Sequence, residues 1–256
     1  MSAGIEFGSA NYNYNKANVL VTGGTSGIGA AIATAFLHAG ATVTITGTKA
    51  SKADYPNLSA GLSYQQCDVT DTSQVDNLAA QFKQLDILVH SAGVALAAKG
   101  LDEYQPDNFD LALQMHLSSV YRLSHGCLEA LSNSKLPAGG CIIGIASMSS
   151  YFGMPFVPAY GAAKAGLVQT MKSMCVAWSD RGIRANAIAA GMTATRQTQV
   201  VVESSEMSAP ILDRTPMKRF ARPEEIAGAA LFLSSQQASY VNGQTLNVCG
   251  GFSISG

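Results

Sequence analysis

The sequence predicts a doubly wound α/β domain, a parallel sheet of about seven strands with helices on both faces. Three observations carry this prediction. Short β-branched runs alternate with helical patterns along nearly the whole chain. The runs are apolar at successive positions, as strands covered on both faces are. Several of them stop at a glycine, where a chain leaving a strand can turn freely.

The elements follow in order. NVLVT, 18–22, is a strand that stops at Gly23, and GAAIATAFLHAG, 29–40, has apolar residues at helical spacing and a glycine stop. TVTIT, 42–46, alternates as a strand, 62–69 gives a third and 85–93 a fourth. Helical patterns cover 72–84 and 108–131. CIIGIAS, 141–147, is a fifth strand, 158–179 a long helix of small residues, and 183–191 a sixth strand. The helix over 223–235 carries Pro223 at its first turn, and 244–248 is the last strand. Residues 1–16 lack the basic start and apolar middle of a signal peptide and read as a flexible polar lead-in. Residues 17–256 then read as one domain, in which the long mixed segment 192–222 covers a binding site.

Composition narrows the function. Hydrophobic residues reach 47% and charged residues only 13%, which suits a large core with apolar surface left for subunit contacts. A net charge of -1 offers no long-range pull on nucleic acid or anionic membrane, and no apolar run approaches the length of a membrane span. Cysteines at 67, 127, 141, 175 and 249 and histidines at 38, 90, 116 and 125 are dispersed, so no metal site is expected. An odd cysteine count without a leader favours reduced thiols and a cytoplasmic location.

The chemistry sits in two motifs. VTGGTSGIGAAI places Gly23, Gly27 and Gly29 between the first strand and its helix. Glycines there let the backbone approach a diphosphate, which the free N–H groups at the helix start bind. At the end of the second strand stand Gly47, Thr48 and Lys49, with no carboxylate to repel a 2′-phosphate. That favours NADP(H), with NAD(H) possible. In PAYGAAKAGL, Tyr160 and Lys164 are four apart and share a helical face. A free phenol titrates near 10 and exchanges protons poorly at neutral pH, and a nearby ammonium favours the phenolate. Ser147, at the end of the fifth strand, can hold a carbonyl or alkoxide oxygen while Tyr160 moves the proton.

Taken in order, T-G-x-x-x-G-I-G at 22–29, CDVTD at 67–71, a variant N-N-A-G at 90–93, Ser147, Y-x-x-x-K at 160–164 and IRANAIAAG at 183–191 resemble the short-chain dehydrogenases/reductases, with a Rossmann-like fold, from about residue 17 onward. The branch resembled is that of the single-domain 3-oxoacyl reductases. The resemblance implies that Ser147 orients the substrate oxygen, Tyr160 is the general acid/base, and Lys164 lowers its pKa and binds ribose. It also implies cofactor contacts by Thr25, Ser26, Ile28, Asp68, Val69, Ala92, Gly93, Tyr160, Lys164, Gly191, Thr193 and Thr195 beside the glycines, with Asp68 at the adenine and Thr195 at the carboxamide. A homotetramer, or a homodimer, is implied, with the 108–131 and 158–179 helices and the last strand at subunit contacts.

Departures from the pattern matter. HSAG stands for N-N-A-G, and Ala190 replaces the proline usual before Gly191. Where the family carries a catalytic asparagine, LQMHLSSV offers His116. His116 is either part of a rebuilt proton relay that titrates near neutrality or a packed core histidine. KASKADYPNLSAGL leaves little room for a full helix between the second and third strands. Met148, Ser149, Tyr151, Phe152, Met154 and Met192 are placed near the substrate by position. The expected activity interconverts a ketone and a secondary alcohol. Alternatives are an NAD-preferring polyol or hydroxysteroid dehydrogenase and a non-catalytic cofactor-binding homologue.

Overall fold

The computed structural model describes residues 10–255. Seven strands form one sheet: β1 (Asn18–Thr22), β2 (Thr42–Gly47), β3 (Ser63–Gln66), β4 (Ile87–His90), β5 (Gly140–Ser147), β6 (Ile183–Ala190) and β7 (Thr245–Val248). Their order is β3-β2-β1-β4-β5-β6-β7, and every neighbouring pair is parallel. The order reverses between β1 and β4, and the crevice outside the carboxyl ends of the strands at such a switch point is where ligands bind. The register aligns those ends: Thr22 pairs with His90, and Ser147 with Ala190.

The helices are α1 (Gly27–His38), α2 (Thr72–Ala80), α3 (Pro106–Leu113), α4 (Ser119–Gly126), α5 (Leu128–Ser132), α6 (Pro158–Trp178), α7 (Gln199–Glu203), α8 (Ser205–Arg214) and α9 (Pro223–Ser234). On one face Ile32 and Phe36 of α1 and Ile226 and Leu233 of α9 pack with the sheet. On the other, Leu78 of α2, Leu123 of α4 and Leu167 and Met171 of α6 form the second core. All eight residues of β6 are buried, and its two polar side chains, Arg184 and Asn186, donate to the Leu233 and Val241 carbonyls.

Two expectations need correction. The single helix over 108–131 is three helices, with a π-helical turn at Gln114–Ser118 between α3 and α4. The Ser119 hydroxyl donates to the Met115 carbonyl at 2.8 Å, and His116 is drawn across to Val94. These side-chain bonds accompany the widened ladder, and π-turns of this kind recur at functional sites. Of the lead-in, residues 1–9 lie outside the described residues. Tyr14 is 3% exposed, donates to the Leu231 carbonyl at 2.6 Å and meets Phe36 edge-on. That part of the segment is packed on α1 and α9, not free.

Candidate active site

The glycine turn after β1 is built by close backbone approach. A Cβ on Gly29 would lie 2.4 Å from the Gly23 carbonyl oxygen, so a side chain there forces the turn open. Gly27 has φ +54, and a Cβ there would lie 3.2 Å from Thr195 Cγ2, which brings the turn against the segment after β6. Thr25 reaches the end of β2, since a Cβ on Gly47 would sit 2.7 Å from its methyl. Ser26 caps α1 with extended backbone but no side-chain bond, and the first turn holds no acid. The leading N–H groups are therefore available to an anion, as a dinucleotide diphosphate requires. Ile28 packs back onto the core. The residues fit the cofactor.

The opposite wall comes from β4. The N–H groups of Ser91 and Ala92 each donate to the Thr22 hydroxyl at 3.2 Å, tying the β4 end to β1. His90 is buried with Nε2 2.7 Å from Ser124 Oγ, and burial with the Lys164 charge lowers it to about 3. It holds the sheet to α4 as a neutral group.

At the end of β2, the Thr48 carbonyl accepts from Gln66 Nε2 at 3.0 Å. Lys49 Nζ donates to the Asp54 carbonyl at 2.7 Å and lies 5.0 Å from the centre of the Tyr55 ring. The Lys49 N–H donates to the Tyr55 hydroxyl at 2.8 Å. The 48–55 loop is thus closed by Tyr55, and it holds only a single 3-10 turn at Lys52–Asp54. Asp68 accepts from Thr70 N–H and hydroxyl through Oδ1, and Val69 packs on the core. Past β6, the Thr193 hydroxyl donates to the Gly191 carbonyl at 3.0 Å, and Thr195 Oγ1 lies 3.2 Å from Thr198 Oγ1. A Cβ on Gly191 would be 2.7 Å from Cys249 Cα, so the chain leaving β7 passes too closely for any side chain.

Ser147, Tyr160 and Lys164 converge between these walls. Ser147 ends β5 and its hydroxyl accepts from Ser149 N–H at 3.2 Å. Tyr160 is the third residue of α6 and Lys164 lies one turn on. Lys164 is 5% exposed, donates to the Ile145 carbonyl at 2.7 Å, and stands 5.4 Å from the centre of the Tyr160 ring. Burial lowers its ammonium to about 8. Burial likewise pushes the Tyr160 phenol up to about 12, the Ser147 hydroxyl acting against that rise and Glu103 adding to it.

His116 completes the cluster, and its surroundings favour the packed, neutral reading of the two. It is 2% exposed and meets the Tyr160 ring edge-on at 4.9 Å. Its Nε2 lies 3.1 Å from the Val94 carbonyl. A carbonyl only accepts, so Nε2 carries the proton and Nδ1 is a buried lone pair with no partner among the described residues. Burial and the Lys164 charge lower the ring to about 3, so it stays neutral. Gly93, at φ +127, is demanded by it: a Cβ there would meet Nδ1 at 2.5 Å.

The small residues of α6 serve packing as well. Ala159 and Ala163 are fully buried, and a Cβ on Gly166 would lie 2.8 Å from Leu117. Of the substrate-side candidates, Met148 and Ser149 are buried, Tyr151 is exposed, and Phe152 and Met154 pack on the core. Met192 lines a small cavity with Met217, Phe220 and Cys249. Three residues went unread in the sequence: Tyr55, Glu103 and Arg214. The Arg214 guanidinium is stacked between Phe152 and Phe252, 4.3 and 4.4 Å from the ring centres. A lone arginine and two phenylalanines a hundred residues from each other carry no sequence signal.

A family model described as enoyl-(acyl carrier protein) reductase matches residues 23–253. The chain is 37% identical over 245 residues to a 2-dehydro-3-deoxy-D-gluconate 5-dehydrogenase of Pseudoalteromonas atlantica, covering 91% of this chain and 94% of the relative. It is 36% identical over 240 residues to the 3-oxoacyl-(acyl-carrier-protein) reductase FabG of Salmonella typhimurium, covering 91% and 95%. Its fold superposes with a TM-score of 0.85 and 28% identity on a gluconate 5-dehydrogenase from Burkholderia cenocepacia solved with NADP and tartrate, covering 96% and 98% of the two chains. With the turn, the crevice and the Ser147–Tyr160–Lys164 cluster in place, the chain belongs to the short-chain dehydrogenase/reductase family, oxidoreductases that act on CH–OH groups with a nicotinamide cofactor.

Proposed function

We propose that this protein interconverts a ketone and a secondary alcohol with NADP(H), with Tyr160 exchanging the proton. The observation that carries the reading is the convergence of Ser147, Tyr160 and buried Lys164 beside an uncapped helix start. The Ser147 hydroxyl holds the substrate oxygen, and Tyr160 gives it a proton in reduction or takes one in oxidation. Lys164 places a positive charge next to the phenol and favours its ionised form when the proton leaves. The bound nicotinamide supplies or accepts the hydride. His116 packs against Tyr160 as a neutral ring.

The absence of a carboxylate at Gly47–Thr48–Lys49 supports NADP(H), as does the NADP in the Burkholderia structure. One observation favours NAD(H) instead: Lys49 is already bonded to the Asp54 carbonyl. That bond is exposed and easily exchanged, so the NADP(H) reading stands first. Arg214 supports an acidic substrate of the sugar-acid type. It lies against Phe152, five residues past Ser147, and has no carboxylate partner among the described residues. Tyr121, Val176 and Leu246 are exposed apolar residues on α4, α6 and β7 and support a homotetramer or homodimer through those faces. No described helix is long and apolar enough to cross a membrane, and the five cysteines are free, consistent with the cytoplasm.

The test is NADPH consumption with a panel of keto-acids, neutral ketoses and 3-oxoacyl thioesters. Turnover of keto-acids that Tyr160→Phe abolishes is expected. No turnover of any ketone with either nicotinamide would overturn the reading.

A further inference from the structure

Glu103 is a carboxylate buried where nothing requires one for packing. It is 1% exposed, between the 3-10 turn Leu96–Lys99 and α3. Oε1 accepts from Leu96 N–H at 2.8 Å and from Ala97 N–H at 3.4 Å. Oε2 accepts from the Tyr160 N–H at 2.8 Å. No lysine, arginine or histidine pairs with it among the described residues. Its charge is compensated by three backbone donors and by the positive, N-terminal end of the α6 dipole. A buried ion held this way is costly, so a purely structural device would more simply be neutral.

The bond lands on the residue that matters most. Tyr160 is reached through its own N–H, which fixes the Cα from which the phenol projects. The same carboxylate orders the 96–97 backbone, two residues beyond the Val94 carbonyl that receives His116. We propose that Glu103 is a positioning residue that anchors Tyr160 through its backbone and, by its negative charge, favours the neutral, proton-donating phenol. This rests on the reading of Tyr160 as the general acid/base.

The groups facing Tyr160 are few. They are Lys164 on α6, neutral His116 on the π-turn, the Ser147 hydroxyl at the end of β5, and Glu103. Lys164 favours the phenolate and Glu103 opposes it. Ser147 and His116 carry no charge. Removing the Glu103 charge leaves burial alone to hold the phenol up, against Ser147 and Lys164.

The test compares wild type with Glu103→Gln and Glu103→Asp, with Tyr160→Phe as the spectral blank. Tyrosinate difference absorbance reads Tyr160 ionisation without any substrate, and the pH dependence of ketone reduction reads it in catalysis. Glu103→Gln is expected to move both toward acid by about one pH unit, since a single nearby charge shifts a buried group by that order. Glu103→Asp keeps the charge but loses reach. It is expected to lower kcat about tenfold, as a small misplacement does, with the pH limb unmoved. A Glu103→Gln protein that folds with wild-type ionisation and kcat overturns the proposal. If that variant does not fold, a Glu103→Asp protein with wild-type kcat overturns it. If Tyr160→Phe turns over like wild type, the reading of Tyr160 falls instead, and the tyrosinate titration still decides Glu103.

Discussion

Replacing Lys164 with methionine should make the protein more stable while destroying its activity. Lys164 is 5% exposed, and burial lowers its ammonium from the usual 10.5 to about 8. At about 1.4 kcal/mol per tenfold, holding that charge in the folded state at pH 7 costs roughly 3 kcal/mol. Methionine removes this cost and fills similar volume. It also removes the 2.7 Å bond to the Ile145 carbonyl, a loss of about 1.5 kcal/mol. About 1.5 kcal/mol of net stabilisation remains, near 3–6 °C in Tm for a chain of this size. The sign with pH is fixed. Between about 8 and 10.5 the unfolded chain holds the proton and the folded one does not, so wild-type stability rises with pH across that window. The variant lacks this rise, so its advantage disappears by about pH 10. Thermal unfolding of both apoproteins at pH 7 and pH 10 measures it. A variant less stable than wild type by the same amount at both pH values would refute the reasoning.

Other consequences are sharp. Tyr160→Phe should lower kcat about 10²–10⁴-fold while leaving NADPH affinity within about twofold, measured by steady-state kinetics and calorimetry. His116→Ala should leave every inflection of the pH–rate profile between about 5 and 8 in place, because the ring is neutral down to about 3. An inflection that vanishes would restore histidine to the proton relay. Gly29→Ala should weaken NADPH binding more than about tenfold, since its Cβ would meet the immovable Gly23 carbonyl at 2.4 Å. Tyr14→Phe should cost about 1–2 kcal/mol by chemical denaturation, because the Tyr14 hydroxyl bonds Leu231 and lies 2.7 Å from Ser234 Oγ.

The sheet was legible because strands buried on both faces leave unbroken apolar runs, and Ile142, Ile143 and Ala185 are such positions. The glycine turn and the Tyr160–Lys164 pair were legible because each needs fixed spacing along one element. The π-turn was not: His116 and Ser119 sit in an apolar pattern that stays helical on either side of the bulge. The sequence left the two readings of His116 open because its depth depends on Gly93 and Tyr160 from other elements. Tyr14 looked like part of a polar tail because its partners lie more than two hundred residues away. Glu103 gave no signal, since a loop carboxylate next to Asp102 reads as solvated until the fold brings it to α6.

The central claim is a dinucleotide crevice that serves Tyr160, and it can be tested before any substrate is known. Calorimetric titration of the purified protein with NADPH and NADH in parallel should show binding of both. The affinity for NADPH should be at least about tenfold the higher. Binding of neither cofactor would contradict the account, and tighter binding of NADH would overturn its assignment of Thr48 and Lys49.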